Sequence, residues 1–155
     1  MRSRRLLSPL RMLVLLAALG LLPLAAGAEP PRRVVVEELG RLPAFSHATV
    51  SGDLIFVSGT LGTADGGLKL VPGGVGPETA QALRNIEKIL ATQKASLADV
   101  AKCTVFLRDM QDFAAMNEAY VPFFAGSPPA RSTIAAAGLA LEARVEIECV
   151  AARPH

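Results

Sequence analysis

The run Leu141-Glu142-Ala143-Arg144-Val145-Glu146-Ile147-Glu148-Cys149-Val150-Ala151 decides how this chain folds. Side chains of a strand point alternately to its two faces, so Val145, Ile147 and Cys149 share one face and Arg144, Glu146 and Glu148 share the other. A half-buried strand near Leu141 to Ala151 is therefore predicted to close the chain. Just before it, Pro128-Pro129-Ala130-Arg131-Ser132-Thr133-Ile134 predicts another strand, near Arg131 to Ala136. These two neighbouring runs set one arginine, Arg131, and one glutamate, Glu146, in an otherwise apolar setting. A guanidinium offers a planar fork that fits a carboxylate bidentately, and a nearby carboxylate can pass protons or orient water. The pair predicts a site for a small carboxylate-bearing substrate. For Glu148 alone, a solvated sheet surface explains the charge equally well.

Working back from that strand, the periodicity alternates between types. Ala101 to Leu107 is rich in β-branched and aromatic residues and predicts a strand. Asp109 is placed to cap a helix on which Phe113, Met116, Tyr120 and Phe123 or Phe124 recur at helical spacing, and Pro122 shortens its last turn. An earlier helix starts at Gly76-Pro77-Glu78, carries Leu83, Ile86, Ile89 and Leu90 on one apolar face, and ends near Lys94. Residues 62–76 hold six glycines and predict a surface loop. Val34 to Leu39 and Ala48 to Gly59 read as strands, the second folded into a hairpin at Ser51-Gly52-Asp53. The order strand-strand-helix-strand-helix-strand-strand implies an α+β sheet with both helices on one face.

Residues 1–28 read as an export signal that is cleaved after Ala28. Arg2, Arg4, Arg5 and Arg11 form a basic start, Met12 to Leu22 is an apolar run, and Ala26-Gly27-Ala28 supplies small residues before Glu29. The run is short for a membrane span, and no cysteine follows it to take a lipid. The protein is thus expected in the periplasm or outside the cell, touching membrane only through the signal segment. Residues 29–155 then form a single domain. Removing four arginines from 16 bases leaves 12 against 14 acids, a net charge of −2. A mildly acidic domain has no electrostatic footprint for nucleic acid.

Two cysteines, Cys103 and Cys149, fall in strand-like runs, and export makes either a disulfide or a pair of buried thiols possible. His47 and His155 are the two histidines, and with the cysteines they show no metal-ligand spacing, so neither a metal nor a cofactor is expected. Gly73-Gly74-Val75-Gly76 lacks the lysine and hydroxyl of a nucleotide loop and reads as a turn. Ser58 has no identifiable histidine-acid partners for hydrolase chemistry.

Several motifs occur in one order between Phe45 and Ala151: Phe56-Val57-Ser58-Gly59, Asn85-Ile86, Thr104-Val105-Phe106-Leu107-Arg108-Asp109-Met110, Asp112-Phe113-Ala114-Ala115-Met116-Asn117-Glu118, Pro129-Ala130-Arg131-Ser132-Thr133 and Val145-Glu146-Ile147-Glu148. In these the chain resembles the YjgF/RidA family of reactive-intermediate imine deaminases. The resemblance implies a chorismate-mutase-like fold, a homotrimer with three sheets around a barrel-like centre, and an active site in each cleft between subunits. It implies hydrolysis of 2-imino and 2-enamino acids to 2-keto acids and ammonia. Arg131 then grips the α-carboxylate and Glu146 is the catalytic group that positions water and proton. Backbone groups at Gly59 and Thr133 complete the cradle, Phe45 lines an apolar wall, and Asn117 supports it.

Five positions depart from the deaminating pattern. Phe45 stands in place of a tyrosine, and His47 adds an imidazole to that segment, where it sits beside the expected cleft. Thr133 replaces a cysteine, Thr60 a glutamine, and Ala135 an acidic residue. The alternative reading is a trimer that holds a small metabolite in the same clefts without turning it over. A ribonuclease role, ascribed to some relatives, fits poorly with an acidic, exported domain.

Overall fold

A computed structural model describes residues 29–40, 43–64, 67–124 and 126–154. The export signal read at residues 1–28 lies outside them. The elements are β1 (Arg32–Val34), β2 (Ala48–Ser51), β3 (Leu54–Leu61), α1 (Val75–Ala91), β4 (Val100–Leu107), α2 (Phe113–Tyr120), β5 (Ala130–Ala135) and β6 (Val145–Ala152). Six strands form one mixed sheet in the order β1-β2-β3-β6-β4-β5. Every pairing is antiparallel except β4 with β5, which run parallel because α2 lies between them in the chain.

The predicted alternation of the last strand holds: Val145, Ile147, Cys149 and Ala151 are buried. They meet Leu83, Ile86, Ile89 and Leu90 of α1 and Met116 of α2 in one core. Asp109 caps the turn that leads into α2, accepting from the Gln111 amide at 2.9 Å. Gly73 and Gly74 take φ of 109° and 82°, a region costly for residues with a Cβ, so this pair is a turn feeding α1.

Two expectations need correction. The strand read over Val34 to Leu39 stops at Val34, and Glu37–Leu39 is a 3-10 turn. The cause is a side chain 11 residues on: the Val36 amide, which a ladder partner would need, donates to Nδ1 of His47 at 3.0 Å. The strands carrying Arg131 and Glu146 follow one another in the chain but are not neighbours in the sheet, because β4 lies between β5 and β6.

That intervening strand also settles the cysteines. Cys103 of β4 faces Cys149 of β6 in register, and the two form a disulfide across 46 residues of chain. Closing a loop of that length lowers the entropy of the unfolded chain, by about 2–4 kcal/mol in typical cases. Thermal melts of oxidised protein and of the C103A/C149A double variant should differ by that amount, the variant melting lower.

Candidate functional site

Glu146 sits where β3 bulges. The register of β3 against β6 slips between Val57 and Thr60, and the slip brings Gly59 beneath the Glu146 side chain. A Cβ built on Gly59 would lie 1.8 Å from Oε1 of Glu146 and 2.9 Å from its Cδ, so the carboxylate rests on a backbone that has no side chain there. Glu146 is half-buried, and its pKa is raised above 4.5, first by burial and then by the nearby Glu148. Glu146, Gly59 and Phe45 line one cavity of about 260 Å³.

The strand that carries Glu146 is anchored on both helices. The Arg144 guanidinium donates to both oxygens of Asp112, at 2.8 and 2.6 Å, and the Arg144 amide donates to Oε2 of the buried Glu78 at 2.8 Å. On the β3 side, the Asn85 amide of α1 donates to the carbonyls of Leu61 and Thr63, at 3.1 and 3.0 Å. These ties fix the strand ends on either side of the cavity.

Gly59→Ala tests the contact directly. The atom in the way is the far end of a flexible side chain, so the fold accommodates the methyl while the carboxylate is displaced. Any reaction that depends on Glu146 should slow about 100-fold, as an ångström-scale misplacement does, with a nearly unchanged melting temperature.

Arg131 is held elsewhere. It lies on β5, half-buried, with Nη2 donating to Oδ1 of Asn117 at 2.8 Å. Its guanidinium carbon is 4.7 Å from the centroid of the Tyr120 ring and 5.8 Å from that of Phe113, both within cation–π range. The Tyr120 hydroxyl is buried without a partner, and burial pushes its pKa up to about 12. Arg131 therefore lies over the Tyr120 and Phe113 rings and is steered by Asn117. Thr133 lies two residues further along β5 on the same face, also half-buried.

The predicted residues thus form two groups, with Glu146, Gly59 and Phe45 in one and Arg131, Asn117 and Thr133 in the other. Arg131 is paired with Cys103, which is paired with Cys149, so all three share the helix-packed face. Glu146 is paired with Phe106 and belongs to the opposite face. Two strand spacings and three residues separate the backbones, on the order of 14 Å. Within one chain the arginine and the glutamate do not meet.

Two further residues lie beside Glu146. His47 lines the same cavity, and because its Nδ1 accepts the Val36 amide, the neutral ring carries its proton on Nε2. Leu141, at the cavity edge, has a left-handed φ of 58° that nothing in its residue type announces. The Ser58 hydroxyl is engaged with the backbone, donating to the Ser46 carbonyl at 2.7 Å.

Comparison with known proteins gives a consistent picture. Residues 36–153 match the family described as Endoribonuclease L-PSP. The RutC family protein UK114 of Drosophila melanogaster is 42% identical over 107 residues, covering 69% of this chain and 78% of that protein. The 2-iminobutanoate/2-iminopropanoate deaminase of Rattus norvegicus is 41% identical over 108 residues, covering 70% and 79%. Among solved structures, E. coli TdcF with bound serine superposes with a TM-score of 0.73 at 27% identity, covering 79% of this chain and 100% of that one.

Proposed function

The chain belongs to the Endoribonuclease L-PSP (YjgF/RidA) family, and from that premise we propose that it hydrolyses reactive 2-imino and 2-enamino acids to 2-keto acids and ammonia. The observation that carries this reading is the Glu146 carboxylate laid across Gly59 in a cavity whose burial lifts its pKa. Such a group takes a proton from water as the oxygen adds to the imine carbon. It returns a proton to nitrogen as the C–N bond breaks and ammonia leaves. Arg131 supplies the permanent cation for the α-carboxylate. Asn117 and the Tyr120 ring hold its fork in place, and Phe45, Gly59 and Thr133 complete the walls.

The site in this reading lies between subunits of a homotrimer. Two features support that arrangement. Arg131 and Glu146 occupy opposite faces of one sheet, so a single bound molecule reaches both only if they come from different copies. The face away from the helices also shows apolar side chains to water, with Leu54, Phe56 and Ile134 each 42–50% exposed, as suits a surface that other copies cover. Export to the periplasm or beyond is part of the proposal, and the Cys103–Cys149 disulfide favours an oxidising compartment. Amino-terminal sequencing of fractionated protein tests it, with Glu29 expected first.

The deamination test measures ammonia and keto-acid release from an imine generated in place by an amino-acid oxidase, with Arg131→Ala as control. Faster release with the wild type than with the control is expected. A protein that binds 2-keto acids yet leaves the hydrolysis rate unchanged would instead be the non-catalytic metabolite-binding trimer.

A further inference from the structure

We infer that the cavity beside Glu146 is a side-chain subsite, which selects 2-imino acids bearing branched-aliphatic or aromatic side chains over 2-iminopropanoate. This rests on the deamination reading, since it takes Glu146 as the group nearest the reacting carbon. With the carboxylate drawn to Arg131 and the imine carbon at Glu146, the remaining substituent points into the space that Glu146 borders.

Most of the lining of that space is apolar. Leu39, Phe45, Leu61, Leu68, Ile89 and Leu141 line it, and its volume of about 260 Å³ far exceeds what a methyl group fills. Three of these side chains are exposed although large and apolar: Leu68 is 66% exposed, Phe45 50% and Leu141 42%. Exposed apolar side chains gathered around one concavity mark a binding surface more often than scattered ones do. Leu141 holds its place with φ 58°, in a region that residues with a Cβ seldom adopt, and strain of this kind persists where the surroundings demand it.

The polar groups in the lining are largely committed to the protein itself. The Asn85 amide donates to the Leu61 and Thr63 carbonyls while its oxygen accepts from Gln81 at 2.9 Å. The Thr60 hydroxyl donates to the Ser58 carbonyl at 2.8 Å, and Nδ1 of His47 accepts from Val36. A polar substituent entering here would lose water and find few partners, whereas a hydrocarbon one loses nothing.

Burying each methylene is worth roughly a fourfold gain, so the three further carbons of a leucine-derived imine should raise kcat/KM roughly 50-fold over the alanine-derived one. The experiment generates imines from alanine, leucine and phenylalanine with an amino-acid oxidase and follows keto-acid formation in competition with a trapping nucleophile. Wild type should favour the leucine- and phenylalanine-derived imines at least tenfold. Leu68→Ser, on an exposed side chain that the fold does not need, and Leu68→Ser combined with Leu141→Asn, which suits a left-handed φ, should both move the ratio toward one. Equal rates on all three imines would overturn the subsite while leaving deamination standing. A preference that neither variant moves would overturn its assignment to this cavity. No hydrolysis of any of the three would overturn the deamination reading, and the subsite with it.

Discussion

Replacing Glu146 with glutamine should abolish imine hydrolysis, by at least about 100-fold in kcat, and at the same time make the protein harder to unfold at neutral pH. The two effects share one cause. Burial and the neighbouring Glu148 raise the Glu146 pKa, so the ionised side chain is worse off in the fold than in the unfolded chain. For a carboxyl whose folded pKa is raised, the stabilising contribution is present below its unfolded pKa and lost as pH rises through the folded one. The E146Q variant removes that loss, so its melting temperature should exceed the wild-type value near pH 7 and approach it near pH 4. In the wild type, hydrolysis that uses the carboxylate as base should switch on with a midpoint above pH 4.5. A midpoint at or below the ordinary value, or an active E146Q protein, would remove Glu146 from the chemistry.

Arg131→Ala should cost roughly 100-fold in kcat/KM, since a bidentate charge-assisted pair is worth about 3 kcal/mol. Most of this should fall on KM, and Arg131→Lys, which keeps the charge but not the planar fork, should land between. The sharper result comes from mixing. Because Arg131 and Glu146 lie on opposite faces of their own sheet, an R131A subunit still offers an intact Glu146 and an E146Q subunit an intact Arg131. Co-expressed in equal amounts and assorting at random in the proposed cyclic trimer, two dead proteins should recover activity at roughly one interface in four. A site made within a single chain predicts no recovery at all.

The local parts of this fold were legible in the sequence because local physics made them. The alternation of Val145, Ile147 and Cys149 and the helical spacing of Leu83, Ile86, Ile89 and Leu90 each state which face is buried, and both faces are buried as read. What failed depended on partners remote in sequence. Val36 looks like a strand residue until His47, 11 positions on, takes its amide. Arg131 and Glu146 seem adjacent until α2 carries the chain across and returns β5 parallel to β4 on the far edge. The disulfide follows from the β4–β6 register, which no spacing between two cysteines reveals. For the site, the motifs named residues that the structure gathers into two groups, Phe45 and Gly59 with Glu146, and Asn117 with Arg131. They carried no sign that the two groups face away from each other.

A newly folded single copy would meet water with Leu54, Phe56 and Ile134 bare, and whatever grease drifts past could stick there before a proper mate arrives. Refolding from denaturant would then be a race between correct assembly and clumping, with the best yield at an intermediate dilution. If the proposed trimer forms through that side, seeding it with lysines should yield a soluble lone subunit, at the expense of the clefts proposed between copies.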